Sequence, residues 1–291
     1  MNFAIIGVGN IGIYHIRDFI NNNYLLKAIL NSSIESSIKK SKEIKNKFNI
    51  NVNIYQNIED LYNNENIDLI VISSSTETHL KYINFCIDNN IKFYCEKPFI
   101  YNQNNNNTAI CKDIIKKSIE KNIKFNVQTQ WVYGIQQINH IIDNKLTNIY
   151  LHMEHFKKKE DINFFTENIS HMNSIIIFLL GHHKVENLLY NKSDKYPQII
   201  NFSYNNVNIT YSLGHPHNKK IIYKFNCKSF TRYADKNYNQ FFIINDDKNN
   251  IVTLEDPFSM CIKNFINNTS LISNDDILKN VEIMDTISKI I

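Results

Sequence analysis

At 291 residues the chain is longer than one hydrophobic core usually supports, so two domains are expected. Its 43% hydrophobic and 12% aromatic content excludes disorder throughout, and a formal net charge of +4 carried on scattered basic residues, with no arginine-rich stripe, points away from nucleic-acid partners. No apolar run approaches the roughly 20 residues of a spanning helix, and residues 1–6 enter an apolar strand with no basic leader, so a cytoplasmic protein with no membrane partner is expected.

The elements follow in chain order. Residues 3–6 form an apolar strand ended by glycine, and Ile11, Tyr14, Ile16 and Phe19 then mark a helix. Strands are expected at 25–30, 52–55, 67–72, 92–95 and 124–128, with helical segments at 35–48, 58–62, 77–89 and 106–121 between them. Such alternation specifies an open, doubly wound parallel sheet, the Rossmann arrangement, over residues 1–124. After Trp131 the texture changes. Helices at 134–143 and 171–180 are followed by closely spaced strands at 148–156, 185–190, 199–204, 207–213, 221–226, 241–244 and 251–254, then helices at 258–266 and 275–291. Residues 125–291 therefore read as an α+β domain with a mostly antiparallel sheet, whose last helix is placed to pack back on the first domain.

Gly7-Val8-Gly9-Asn10-Ile11-Gly12 follows the first strand and opens the first helix, as a dinucleotide-binding turn requires. The chain holds only six glycines and three fall here, against an end-to-end bias toward Asn, Ile and Lys that we read as compositional drift. Gly7 permits the tight turn, Gly9 admits a pyrophosphate against the main chain, and Gly12 lets helix and strands approach. Unpaired amides at the helix start favour the anion. At the end of the second strand an acid would select NAD by repelling a 2′-phosphate. Asn31-Ser32-Ser33 stands there instead, so NADP is slightly favoured over NAD.

Cys95-Glu96-Lys97-Pro98 ends a strand at the carboxyl edge of the sheet, where open α/β folds bind ligands. Alone it is as consistent with a surface ion pair as with a substrate contact. With the glycine cluster, and with residues 67–75, Thr76 and His79 between them, it resembles the signature of the glucose-fructose oxidoreductase, inositol dehydrogenase and rhizopine catabolism family (Gfo/Idh/MocA). The resemblance implies that Ser73, Ser74, Ser75, Thr76 and His79, with Glu96 and Lys97, border the cofactor, and that Lys97 touches substrate. Glu167-Asn168-Ile169-Ser170-His171, followed by Phe178-Leu179-Leu180-Gly181, is similar to a family segment in which an acid precedes a histidine by four residues at the start of a helix. There His171 would move the hydroxyl proton and Glu167 orient its ring or contact a substrate hydroxyl. Departures from the family are Glu167 for Asp, Ile169 for a small residue, a 73–75 segment without proline, and a short second domain.

Gln128, Gln130 and Trp131 lie at or beyond a strand end, where amides and an indole could line a sugar pocket; interdomain packing is the equal alternative. His152 and His155 should point to opposite faces of a strand, and His182, His183, His215 and His217 are irregularly spaced, so no metal site is expected. Cys86, Cys95, Cys111, Cys227 and Cys261 form neither a metal pattern nor a disulfide framework, and reduced thiols are expected. The expected activity is hydride transfer between NAD(P) and a hydroxyl or carbonyl carbon of a sugar, polyol or nucleotide-linked sugar. Its rivals are a biliverdin- or imine-type double-bond reductase and a non-catalytic NAD(P)-binding regulator. The resemblance also implies a homodimer or homotetramer joined through the antiparallel sheet.

Overall fold

Continuous apolar runs decide the first sheet. In a computed structural model that describes residues 1–154, 162–191, 197–214, 221–234, 241–245 and 250–291, β1 (Asn2–Ile6) and β4 (Leu69–Ile72) are buried almost throughout. Strands covered on both faces need no polar alternation. Around them lie α1 (Asn10–Asn21), β2 (Leu25–Leu30), α2 (Ile34–Phe48), β3 (Asn53–Tyr55), α3 (Ile58–Asn64), α4 (Thr76–Asp88), β5 (Lys92–Cys95), α5 (Asn107–Glu120) and β6 (Phe125–Val127). All pairings are parallel, in the order β3-β2-β1-β4-β5-β6. This is the doubly wound dinucleotide-binding order, with its switch point between β1 and β4.

Two compact units result: residues 1–128 with 262–274, and residues 129–261 with 275–291. The segment that rejoins the first unit is 262–274, and the last helix clusters with the second. Phe265 packs on Tyr94 with ring centroids 5.0 Å apart, and the Lys124 ammonium lies 4.5 Å from the Phe265 ring. Asn126 donates to the Ser270 hydroxyl.

The second unit begins with α6 (Gln130–Ile138) and a 3-10 turn, then β7 (Asn148–Glu154) and α7 (Ile162–Leu180). Strands β8 (Val185–Asn191), β9 (Gln198–Tyr204), β10 (Val207–Gly214), β11 (Ile221–Phe225), β12 (Lys228–Ala234), β13 (Phe241–Asn245) and β14 (Asn250–Leu254) follow, with α8 (Pro257–Asn267) and α9 (Asn274–Ser288) after them. They form one sheet ordered β14-β13-β12-β11-β7-β10-β9-β8, antiparallel except where β7 lies parallel to β10. Strand β12 was not expected, because Lys228 and Arg232 break the apolar alternation.

Helix α7 starts well before residue 171, so Glu167 and His171 sit inside it, one turn apart, and not at its start. Several of its polar residues are buried and bonded. Asn173 accepts from the Tyr211 hydroxyl at 3.0 Å, and Asn280 of α9 donates to the Ser170 carbonyl at 2.8 Å. Such bonds stabilise modestly when made and are expensive to leave half-made. Removing the buried donor by Tyr211→Phe should therefore lower unfolding free energy by about 1–2 kcal/mol, read from urea melts.

Candidate functional site

Four backbone bonds tie successive strand ends along the carboxyl edge of the parallel sheet. Gly7 N donates to Leu30 O, Ser73 N to Ile6 O, and Glu96 N to Ile72 O, each at 2.8 Å; Gln128 N donates to Cys95 O at 2.9 Å. Gly7, Ser73, Glu96 and Gln128, all expected at a site, thus stand in one row. Gly7 has φ +86°, and a Cβ there would lie 2.4 Å from the Ser74 main chain. At Gly12 a Cβ would meet Gly7 O at 2.9 Å. Gly9 differs: its φ is −84° and nothing lies within 4 Å of where its Cβ would stand.

Gly9 is also the N-cap of α1, with no side-chain acceptor for the first turn of amides and no acidic residue in that turn. A helix start of this kind attracts anions. Gly9, Asn10 and Ile11 are exposed, Ile11 at 45%. The residues present therefore fit a dinucleotide pyrophosphate. Beside the loop, Val8 N donates to Asn31 Oδ1 at 2.6 Å, while Asn31 Nδ2 is buried with no hydrogen-bond partner. The Ser33 hydroxyl caps α2 by accepting from Ser36 N, and Ser32 is exposed.

The loop after β4 is braced by its own side chains. The Ser74 and Thr78 hydroxyls are 2.6 Å apart, and Thr78 donates to Ser75 O at 2.8 Å. Ser75 caps α4 without a side-chain bond, and Thr76 is half-buried. His79 is buried, its Nδ1 3.0 Å from Pro98 O and 3.1 Å from Phe99 O, its Nε2 3.1 Å from Ser74 O. Burial lowers its basicity more than those carbonyls and the Glu96 carboxylate raise it. The ring fills the space between the Ser74 turn and the loop that carries Lys97, whose bond to Pro98 is cis.

Sequence reasoning missed His15. It lies on the buried face of α1 with Gly12, Ile16 and Phe19, and its Nε2 is 2.6 Å from Glu96 Oε1. A histidine in the middle of an apolar helix face needs a polar partner, and that was the available signal. The other Glu96 oxygen accepts from Lys97 N at 3.2 Å. Burial opposes ionisation of Glu96, but the His15 bond, the charges of His15 and Lys97 and the Lys97 amide outweigh it and hold the carboxyl below the usual range.

In the second unit, Trp131 and His171 stack with ring centroids 4.9 Å apart and planes 2° from parallel, at 2% and 4% exposure. Tyr223 meets the indole edge-on at 5.6 Å. Glu167 is half-buried one turn before His171. Gln128, in the first unit, is fully buried; its Oε1 accepts from Tyr94, and its Nε2 has no hydrogen-bond partner. Gln130 Oε1 in the second unit is likewise buried without one.

His152 and Ser212 bond at 2.9 Å on adjacent strands, and His182 pairs with Asp276 at 2.7 Å. His183 meets the Tyr204 ring edge-on at 5.7 Å. His155, His215 and His217 lie outside the described residues. Among the described residues no three His, Cys, Asp or Glu side chains gather as metal ligands, and no helix is long and apolar enough to cross a membrane. Cys86, Cys95, Cys111 and Cys261 are buried thiols, and Cys227 is an exposed one.

Residues 1–128 match the family described as oxidoreductase family, NAD-binding Rossmann fold, and carry the nucleotide-binding fold of Gfo/Idh/MocA proteins. Inositol 2-dehydrogenase of Salmonella typhimurium is 23% identical over 144 residues, which are 48% of this chain and 41% of that protein. The chain thus matches less than half the length of this curated relative. UDP-N-acetylglucosamine 3-dehydrogenase from Acidithiobacillus ferrooxidans superposes with a TM-score of 0.75 at 14% identity, covering 99% of this chain and 97% of that one. An oxidoreductase from Agrobacterium radiobacter, solved with NAD+, L-tartaric acid and magnesium, gives a TM-score of 0.69 at 12% identity over 99% and 94% of the two chains.

The glycines should separate by function. Gly7→Ala, strained and colliding with main chain, should lose about 2–4 kcal/mol of stability in denaturant melts, whereas Gly9→Ala should stay within about 0.5 kcal/mol of wild type. Glu96 has a folded pKa below its ordinary 4.5, so its stabilising contribution is complete above 4.5 and lost as pH falls through the depressed value. Stability of Glu96→Gln, followed against pH, should fall less steeply on that acid limb than stability of the wild type.

Proposed function

We propose that this chain is a nicotinamide-dependent oxidoreductase that moves hydride between NAD(P) and a hydroxyl or carbonyl carbon of a sugar, polyol or nucleotide-linked sugar. The observation that carries the reading is Gly9. Gly7 and Gly12 are required by contacts within the chain, but Gly9 has ordinary φ and open space beside it at an uncapped helix start. A pyrophosphate supplies the missing reason for a glycine there. The family match over residues 1–128 supports the cofactor class, and the activities named for the inositol and nucleotide-sugar dehydrogenases support the substrate class.

When bound, the nicotinamide supplies the hydride acceptor or donor. Gly9, Asn10, Ile11 and Gly12 are assigned to the pyrophosphate and Asn31, Ser32 and Ser33 to the adenosine ribose. Ser73 to Thr76 border the nicotinamide, with His79 and Glu96 holding that loop and the lysine in place. Lys97 Nζ donates to the substrate oxygen and stabilises negative charge as it develops. The His171 imidazole takes the hydroxyl proton during oxidation and returns it during reduction. Glu167 orients that ring or binds a neighbouring hydroxyl, and Gln128 and Gln130, each with a buried polar atom left unbonded, are assigned to substrate binding. With no carboxylate among residues 31–33, NADP is accepted, slightly ahead of NAD. We further place the protein in the cytoplasm, as a homodimer or homotetramer joined through the antiparallel sheet, with no nucleic-acid or membrane partner.

Thermal unfolding with each reduced cofactor tests the core of this. NADPH or NADH at a hundred times its Kd should stabilise the fold by about 2.7 kcal/mol. No rise in Tm with either would sink the proposal. Gly9→Val should melt like wild type alone yet lose the cofactor shift. Lys97→Met and His171→Ala should retain it, while turnover of a sugar or polyol falls about 10²- to 10⁴-fold, followed by nicotinamide absorbance.

A further inference from the structure

Trp131 reads from the sequence as a residue that could line a sugar pocket or, equally, pack between domains. Its indole is 2% exposed, and its face is taken by His171 in a stack parallel to 2°. Two flat rings in that relation restrict each other, because turning the imidazole about its bond to Cβ drives a ring edge into the indole. The indole face also carries the negative part of the ring quadrupole, which attracts a cation and does nothing comparable for a neutral ring. We propose that Trp131 is a positioning residue for His171: it fixes the plane of the imidazole and favours the protonated ring, and it is not a substrate platform. The inference rests on the proton-moving role assigned to His171 above.

The other elements around the stack are consistent with this role. Tyr223 of β11 braces the indole from its edge, at 5.6 Å and 75°. Arg232 of β12 donates to the Tyr223 oxygen, and burial keeps that phenol neutral. Glu167 stands one turn before His171 on α7, and Arg232 stands beside Tyr223, so these are the charged groups on the elements that carry or brace the stack. Ser174 donates to the His171 carbonyl at 2.6 Å and so bears on the helix and not on the ring.

Trp131 is the chain's single tryptophan, so the protein contains its own reporter. A protonated imidazole in contact with an excited indole accepts an electron and quenches its emission; a neutral one does so far less. In the full chain without cofactor, Trp131 emission should fall along one titration curve as pH is lowered through the His171 midpoint, measured independently from its imidazole NMR signals. His171→Gln should abolish that curve. Trp131→Phe and Trp131→Leu should lower the His171 midpoint by about half a unit to one unit, the phenylalanine less than the leucine. If the leucine variant fails to fold, the phenylalanine variant carries the comparison.

Emission indifferent to pH, a curve that survives His171→Gln, or a midpoint unmoved by removing the indole overturns the inference. None of these readings uses cofactor or substrate. A failed titration with an intact cofactor shift therefore rejects the pairing alone, and a missing cofactor shift rejects the proposed function.

Discussion

The Ser73–Ser74 main chain crosses Gly7 with no room for a side chain, and the arrangement of the first unit's site depends on that crossing. The Ile6 carbonyl accepts from Ser73 N, and the Leu30 carbonyl accepts from Gly7 N. The same offset bonding continues through Glu96 and Gln128. A side chain at position 7 would displace the Ser74 turn and, through the buried His79 ring packed between them, the loop bearing Lys97. The glycine loop and the Glu96-Lys97-Pro98 segment, about ninety residues apart in the chain, are thus one mechanical assembly. His15 adds a second link, from the helix that the glycine loop opens to the carboxylate beside Lys97.

How much of this was legible depended on whether a residue's role is decided locally. Buried parallel strands such as Leu69–Ile72 announce themselves, because burial on both faces forces an unbroken apolar run. A turn followed by an uncapped helix is equally local. The His15 to Glu96 pair is not: it joins residues 81 apart, and only the sheet order brings them together. The helical spacing puts Ile11 and Tyr14 on the helix's apolar face, yet Ile11 is 45% exposed and Tyr14 is half-buried. The buried face runs instead through Gly12, His15, Ile16 and Phe19, with a polar residue in it because a partner waits across the sheet edge.

Helix α7 hides its role for a related reason. Thr166, Asn168, Ser170, His171, Asn173 and Ser174 are all buried, so polar positions along the described part of the helix do not mark its outer face in the sequence. Its start was expected near the apolar run that ends in Leu180, a full nine residues late. The register of Glu167 and His171 survived this error, since four residues span one turn wherever the helix begins. The partner of His171 did not: Trp131 comes from another helix, and its shielding could not be read from a strand-end position.

Glycine scarcity carries more meaning once the backbone is known. Every non-glycine residue at positive φ among the described residues is an asparagine, from Asn23 to Asn268. Asparagine tolerates that conformation better than other side chains, so this chain meets its ordinary left-handed turns without glycine. Conformation alone would therefore have let asparagine serve at Gly7; the 2.4 Å contacts with Ser74 are what forbid it. Gly12 is held by the Gly7 carbonyl in the same way. Gly9 has neither reason, with negative φ and open space on its Cβ side. In a chain so sparing of glycine, a position with no internal need for one is best explained by a neighbour that comes from outside the chain, and the uncapped amides of α1 give that neighbour a negative charge.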